Sequence, residues 1–303
     1  FYLFVMEYRK LGKSNITISR IGFGSMSIGK DQEIGIRLIH QAIDSGINFF
    51  DTADLYDKGL NEVIVGRALK EIRKDIILAT KVGNQWRSDG SGWDWNPRKE
   101  YILKAVDESL KRLGIDFIDL YQLHGGTIED PIDEIIEAFE LLVQQGKIRD
   151  YGISSIRPNV IREWVKRSSM ISVMIQYSLL DRRPEESILE LLKQNNIGVL
   201  VRGSIAQGLL INKPPRPYLN RGEGEVQKAA SRIRNYSANE RKASQTALQY
   251  VLSHPAVTSA VVGIRTPEQL QEASGVFAVP FLNADEIKDL RQVVSANQYE
   301  DHR

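Results

Sequence analysis

The chain contains no cysteine among its 303 residues, which excludes disulfide bonds, thiol nucleophiles and thiolate metal sites. The absence also fits a reducing compartment, so we expect a cytoplasmic protein. Histidine is scarce as well: His40, His124, His254 and His302 form no close ligand pair, and we therefore expect no metal site.

An excess of charge of either sign is also missing. The 40 basic and 39 acidic residues leave a net charge of +1, which predicts no nucleic-acid partner and no attraction to an anionic membrane surface. No run approaches the ~20 apolar residues of a membrane span. Residues 1–5 are apolar but too short for a signal sequence, and we expect Met6 to be the native start and residues 1–5 an addition.

The composition of the chain is that of an ordinary globular protein, with 42% hydrophobic and 26% charged residues. Strand-like apolar runs alternate with helical patterns along it. Strands are predicted at 21–24, 47–50, 76–80, 117–122, 148–153, 171–176, 197–202 and 257–262, and helices at 31–45, 60–70, 98–113, 131–145, 158–167, 184–195, 238–253 and 267–273.

Eight such units predict an α/β fold, a (β/α)8 TIM barrel of parallel strands, forming a single domain over residues 6–303. Residues 6–20 predict an N-terminal β-hairpin that closes the bottom of the barrel. The alternative is an open, doubly wound sheet with a glycine-rich phosphate loop after its first strand. Residues 22–26 (GFGSM) lack the third glycine and the later acidic residue of such a loop.

Four polar residues stand at or just after the ends of three predicted strands: Asp51, Tyr56, Lys81 and His124. In a parallel barrel those strand ends share one rim, where active sites are built. Each residue alone has an ordinary explanation, as a loop cap, a half-buried aromatic, a surface charge and a turn histidine. Together they form a proton-donating set, which predicts a catalytic site.

The chemistry of this set suits the reduction of a carbonyl group, which needs hydride on carbon and a proton on oxygen. A free tyrosine is a weak acid at neutral pH, and a nearby ammonium strengthens it by stabilising the phenolate. Lys81 can supply that ammonium, Asp51 can hold Lys81 charged, and His124 can hydrogen-bond the substrate oxygen or share its proton.

Ordered sequence blocks along the chain, from about residue 7 onward, resemble the aldo-keto reductase superfamily, and most of all its YqkF-like bacterial oxidoreductases. The blocks are residues 46–56 (GINFFDTADLY), 77–81 (ILATK), 112–124 (RLGIDFIDLYQLH), 146–149 (GKIR), 152–154 (GIS) and 208–210 (GLL). The resemblance implies a (β/α)8 barrel and the reduction of a small aldehyde or ketone with NADPH. It also implies that Tyr56 donates the proton, assisted by Asp51, Lys81 and His124.

The resemblance further implies a cofactor, NADPH or NADP+, that lies extended across the C-terminal rim. The implied contacts are Gly24, Ser25, Met26 and Asp51 near the nicotinamide ribose, Ser154 and Gln176 at the carboxamide, Arg202 at the nicotinamide ring, Gly203, Ser204, Ile205, Ala206, Gln207 and Lys213 around the pyrophosphate, and Gly263, Ile264, Arg265, Gln269 and Glu272 around the adenosine phosphate. A guanidinium at Arg265 fits a 2′-phosphate and favours NADPH over NADH, the less favoured alternative being a solvated arginine at a helix start.

Two positions depart from the family pattern within this implied cofactor site. Arg202 stands where many members carry an aromatic that stacks on the nicotinamide, and its charge predicts weaker binding of the cationic, oxidised cofactor. Ala273 stands where an asparagine commonly contacts adenine, which removes one hydrogen-bonded contact. Met26 and the pair Gly125-Gly126 also differ from residues that often line the substrate pocket, so the substrate class stays open.

Two segments and one functional alternative remain open at this level. The loop 83–96 holds three of the four tryptophans and is either a mobile wall over the substrate or a segment that packs them on neighbouring helices. Residues 212–236 either fold over the cofactor or stay disordered without it.

Because some family members sense the cofactor with slow turnover, a regulatory role is the alternative function. A non-redox isomerase barrel is disfavoured, since no separate substrate-phosphate site is evident.

Overall fold

The structure is a computed structural model that describes residues 6–237 and 241–303. The prediction that residues 1–5 are an addition lies outside the described residues. So do residues 238–240, with which the predicted helix 238–253 begins.

The strands of the described residues are β1 (Tyr8–Lys10), β2 (Thr17–Ser19), β3 (Ile21–Gly24), β4 (Phe49–Asp51), β5 (Ile77–Val82), β6 (Asn84–Trp86), β7 (Trp93–Trp95), β8 (Ile118–Leu123), β9 (Ile148–Ser154), β10 (Ser172–Gln176), β11 (Gly198–Arg202) and β12 (Val257–Gly263). The helices are α1 (Gln32–Asp44), α2 (Leu60–Leu69), α3 (Lys99–Leu113), α4 (Ile132–Gln144), α5 (Pro158–Arg167), α6 (Ile188–Gln194), α7 (Glu223–Asn235), α8 (Ala243–Leu252), α9 (Pro267–Ser274) and α10 (Ala284–Val293).

Eight parallel strands close into a barrel in the order β3, β4, β5, β8, β9, β10, β11, β12, with β12 paired back to β3. This confirms the predicted (β/α)8 barrel. The strands are apolar on both faces because the barrel interior is packed and helices cover the outside. Parallel pairing brings the carboxyl ends of all eight strands to one rim, and that rim carries the polar residues singled out in the sequence.

The predicted N-terminal hairpin is also present, as the antiparallel pair β1 and β2. Its Leu11, Ile16 and Ile18 are buried in one cluster with barrel-interior residues such as Phe49 and Leu120. The hairpin therefore closes the end of the barrel opposite the rim.

Several elements differ from the sequence prediction. The loop 83–96 contains the antiparallel hairpin of β6 and β7. The predicted helix 184–195 is interrupted, because Ser187 adopts a non-helical conformation (φ −159°, ψ −27°) and the regular helix α6 begins only at Ile188. Helices α7 and α10 were not predicted. In α10 the Asn283 and Glu286 side chains each accept a hydrogen bond from the other's backbone N–H, the pattern of a capping box.

None of the helices in the described ranges combines the length and the apolar character needed to cross a membrane.

Candidate active site

The four residues of the predicted proton-donating set meet at the C-terminal rim. Asp51 is the last residue of β4, Lys81 is the penultimate residue of β5, and His124 directly follows β8. Tyr56 opens a short 3-10 turn in the loop after β4. The structure therefore brings together side chains that are up to 73 positions apart in the chain, between Asp51 and His124.

Lys81 is the centre of this group. Its side chain is only 1% exposed, and its ammonium Nζ lies 2.6 Å from Asp51 Oδ2, 2.7 Å from the carbonyl oxygen of Thr52 and 3.4 Å from the hydroxyl of Tyr56. Nζ also lies 5.1 Å from the centre of the Tyr56 ring. A buried ammonium with three oxygen neighbours is satisfied only in this one orientation, so the lysine holds the tyrosine hydroxyl in place.

The charges of this pair depend on one another. Burial by itself lowers the pKa of Lys81, but the Asp51 carboxylate and the Tyr56 hydroxyl outweigh it and raise that pKa above its usual value. Burial raises the pKa of Asp51, whereas Lys81 and Gln122 lower it, and burial is the larger effect. Gln122 Nε2 donates to Asp51 Oδ1 at 3.2 Å. Lys81 is consequently an ammonium at neutral pH.

His124 lies edge-on to Tyr56, with 5.9 Å between the ring centres and an interplanar angle of 83°. Burial, then Lys81 and Arg202, lower its pKa to about 3. Its Nδ1 is buried and has no hydrogen-bond partner within the described part of the chain. The imidazole is therefore neutral at physiological pH. A neutral imidazole can donate a hydrogen bond to a substrate oxygen but is a poor proton donor.

Asn61, a residue absent from the sequence prediction, connects the two strand ends on which the first site residues lie. Asn61, fully buried in α2, accepts from Thr52 Oγ1 at 2.7 Å, lies 2.6 Å from Ser25 Oγ and donates to the Ser25 carbonyl at 2.9 Å. Ser25 Oγ also lies 2.7 Å from the Asp51 carbonyl. This network ties the end of β3 to the end of β4. Its only sequence signal is an amide at the start of a predicted helix.

The predicted cofactor residues lie along the same rim, because each follows the end of a parallel strand or begins the next helix. Gly24 ends β3 and is followed by Ser25 and Met26, Asp51 ends β4, Ser154 ends β9 and Gln176 ends β10; Arg202 ends β11 and is followed by Gly203, Ser204, Ile205, Ala206, Gln207 and Lys213, and Gly263, Ile264, Arg265, Gln269 and Glu272 extend from the end of β12 into α9. Their roles toward a cofactor stay predictions.

Gln176 already uses both ends of its amide within the protein. Its Oε1 accepts from Arg202 Nη1 at 2.8 Å, and its Nε2 lies 2.9 Å from Asp181 Oδ2 and 3.2 Å from the Tyr218 hydroxyl. In this state Gln176 holds Arg202 in place. To bind a carboxamide as expected from the sequence, Gln176 has to exchange one of these contacts.

The turn after β11 has an unusual backbone. Gly203, Ala206, Gln207 and Gly208 all have positive φ angles, between 46° and 89°. Ser204 is 4% exposed, and its hydroxyl has no hydrogen-bond partner in the described ranges. Turns that mix right- and left-handed residues point backbone N–H groups toward one side and suit anionic groups.

The segment after β12 leaves its arginine free to reach a ligand. Arg265 is exposed; its backbone N–H donates to Gln269 Oε1 at 2.9 Å, and its guanidinium makes no ion pair with a described residue. Thr266 caps α9 by accepting from Gln269 N at 3.3 Å. Glu272 instead accepts a hydrogen bond from the Ser244 hydroxyl, so its carboxylate is partly engaged within the protein.

No group of three or more histidine, aspartate or glutamate side chains in the described ranges is arranged to hold a metal ion.

The chain is similar to oxidoreductases over nearly its whole length. Residues 20–295 match the model of the Aldo/keto reductase family. The chain is 48% identical to the "Uncharacterized oxidoreductase YqkF" of Bacillus subtilis, covering 98% of this chain and 100% of that protein. It is 32% identical to the NADH-specific methylglyoxal reductase of Escherichia coli, covering 92% and 96%. The holo form of aldo-keto reductase AKR11C1 from Bacillus halodurans superposes with a TM-score of 0.93 at 48% identity, covering 98% and 99%.

Proposed function

Because the chain belongs to the aldo/keto reductase family and is therefore an oxidoreductase, we propose that it reduces aldehydes or ketones to alcohols with NADPH. One observation carries the proposal: a buried Lys81 ammonium lies 2.6 Å from the Asp51 carboxylate and 3.4 Å from the Tyr56 hydroxyl. A hydroxyl held beside a buried ammonium at the barrel rim is what protonation of a carbonyl oxygen requires.

Each of the four residues has a distinct role in this proposal. Tyr56 gives its hydroxyl proton to the substrate oxygen, and the adjacent Lys81 ammonium stabilises the phenolate that remains. Asp51 keeps Lys81 charged and oriented. The neutral His124 donates a hydrogen bond to the carbonyl oxygen and so stabilises the negative charge that develops there. When bound, the reduced nicotinamide supplies the hydride to the carbonyl carbon.

The residues of the rim fit such a cofactor. The Ser204 hydroxyl is buried and has no partner among the residues that the structure describes, and it lies in a turn with positive φ angles at Gly203 and Gln207, which supports a site for the pyrophosphate. The exposed Arg265 guanidinium supports recognition of a 2′-phosphate. The choice between NADPH and NADH has to be settled for this chain, because one relative is named as an NADH-specific reductase. We propose NADPH on the basis of Arg265.

A cytoplasmic location belongs to the same proposal. It rests on the absence of cysteine, which suits a reducing compartment in which NADPH is the reductant.

The test has two stages. First, NADPH and NADH are titrated into wild type, Arg265→Ala and the control Arg162→Ala, with binding followed by tryptophan fluorescence. Arg162 is exposed on α5, far along the chain from α9. We expect NADPH to bind more tightly than NADH, Arg265→Ala to remove that margin, and Arg162→Ala to leave it unchanged. Equal affinities in wild type would contradict the NADPH assignment.

The second stage measures turnover of a panel of aldehydes and ketones with the preferred cofactor. Oxidation of the cofactor by at least part of the panel, lost in Tyr56→Phe, supports the reductase. Tight cofactor binding with negligible turnover across the whole panel would instead support a cofactor-sensing regulatory protein.

A further inference from the structure

The β6–β7 hairpin contacts the loop that carries Tyr56. The indole Nε1 of Trp86 donates to the carbonyl oxygen of Leu55, the residue before Tyr56, at 3.2 Å. Lys58 reaches back to the hairpin: its Nζ donates to the Gly90 carbonyl at 3.2 Å and lies 5.2 Å from the centre of the Trp86 ring. The hairpin thus holds this loop on both sides of Tyr56.

This part of the loop needs such support. Asp57 and Lys58, directly after Tyr56, have φ angles of 48° and 57°. Side chains other than glycine rarely adopt this left-handed region, and two in succession persist only where the surroundings enforce them. The contacts of Lys58 with Gly90 and Trp86 are such surroundings.

The same hairpin contacts the loop that carries His124. Trp95 Nε1 lies 3.0 Å and 3.1 Å from the two carboxylate oxygens of Asp130, which also accepts from Thr127 N at 2.6 Å. Asn84, in β6, donates to the His124 carbonyl at 3.3 Å. Asn84 and Trp95 are paired with each other, so both strands of the hairpin contact the segment 124–130 at the open end.

The glycines on either side of the Trp95 ring fit this arrangement. A Cβ at Gly83 would lie 2.5 Å from the ring, closer than any real contact, and a Cβ at Gly125 would lie 3.5 Å from it. Both glycines also have positive φ angles, 124° and 138°. At Gly83 the indole therefore occupies space that only glycine leaves free. At Gly125, which directly follows His124, a Cβ would be in ordinary contact with the ring, and it is the positive φ angle that favours glycine.

We propose that the β6–β7 hairpin is a clamp in which Trp86 and Trp95 are positioning residues, Trp86 for Tyr56 and Trp95 for His124. The assignment of what the two positioned side chains do rests on the proposed function. The positioning itself follows from the contacts.

An activity-independent experiment tests the Trp95 half. With four histidines in the chain, the His124 imidazole can be followed by NMR as the pH is lowered. We expect His124 to stay neutral to about pH 3 in wild type, and to titrate closer to the ordinary 6.5 in Trp95→Phe, which lacks the donor to Asp130. Asp130→Ala should have the same effect, and the double variant no more than either. A His124 titration that is unchanged in both single variants overturns the clamp.

Kinetics test both halves together. Trp86→Phe and Trp95→Phe should lower kcat by about tenfold or more, since a 1 Å misplacement can cost ~100-fold, while KM and the NADPH Kd change less than about twofold. A deuterium isotope effect on hydride transfer should rise as the chemical step becomes limiting. The control is Trp164→Phe: this tryptophan is fully buried in α5, and its Nε1 has no partner among the described residues.

The outcomes separate the two proposals. A wild type without turnover refutes the proposed function, and the His124 titration still decides the clamp. If the hairpin variants lose kcat and thermal stability only as much as Trp164→Phe does, with an unchanged isotope effect, the tryptophans are structural and the clamp is wrong.

Discussion

Replacing Asp51 with asparagine isolates the interaction on which the site depends. Lys81 would remain buried, 1% exposed, beside an uncharged amide, the Thr52 carbonyl and Tyr56. Removing one partner of a buried ion pair typically costs about 3–5 kcal/mol, because the other charge is left without compensation. We expect a loss of this order in the free energy of unfolding at pH 7, and a fall in kcat of about 10²- to 10⁴-fold.

The dependence of this loss on pH distinguishes it from general damage. In wild type the pKa of Lys81 is raised above 10.5, so its contribution to stability is fully present below pH 10.5 and is lost only as the pH rises through the raised value. In Asp51→Asn the largest effect that opposes burial is gone and only that of Tyr56 remains, so we expect the Lys81 pKa to fall below that of the unfolded chain. Between those two values the unfolded chain binds more protons, so the variant gains stability as the pH rises.

The difference in unfolding free energy between wild type and Asp51→Asn should therefore narrow from pH 7 toward pH 10.5. Asp119→Asn is the matched control. Asp119 is 2% exposed near the amino end of β8, and it lies 2.7 Å from Arg73, which keeps its proton throughout this range. That control should lose stability without the pH dependence and without a loss of kcat. Denaturant unfolding at a series of pH values measures both variants, and a difference for Asp51→Asn that stays constant with pH would contradict this role of Asp51.

Three further predictions follow from the same structure. The His124 pKa is lowered to about 3, so its contribution to stability is present above pH 6.5 and is lost as the pH falls toward 3. His124→Gln should therefore show a smaller decline in unfolding free energy between pH 7 and pH 4 than wild type, and an equal decline in the two proteins would contradict this. Arg202→Tyr should tighten NADP+ relative to NADPH, and an unchanged ratio of the two dissociation constants would sink that idea. Asp57→Gly should relieve left-handed strain and raise the unfolding free energy by up to ~1 kcal/mol, and a lower thermal midpoint would argue against strain there.

Much of this site could be predicted from the sequence because of the geometry of the fold. Asp51, Lys81 and His124 each stand at the end of an apolar run, and in a parallel barrel those ends converge on one rim. The prediction that these side chains lie close together therefore needed no knowledge of which residues pair or of the distances between them. The positions of the strand ends therefore predicted which residues group together, and the resemblance to the family suggested the role of each.

The elements that sequence reasoning missed depend on tertiary contacts. The three-residue strands β6 and β7 are too short for a periodic signal, and their Trp86 and Trp95 contact loops 31 and 35 positions away in the chain. The engagement of Gln176 by Arg202 is equally non-local. Helix α10, in contrast, had a readable signal, since Asn283 and Glu286 have capping-box spacing.

The most direct test of the central claim, that Tyr56 is the proton donor of a carbonyl reductase, is single-turnover oxidation of bound NADPH by a reactive aldehyde. Wild type is compared with Tyr56→Phe, which keeps the ring but lacks the hydroxyl that lies 3.4 Å from Lys81. We expect both to bind NADPH with equal affinity and the variant to oxidise it about 10²- to 10⁴-fold more slowly. Equal rates in the two proteins, or no oxidation by wild type, would contradict it.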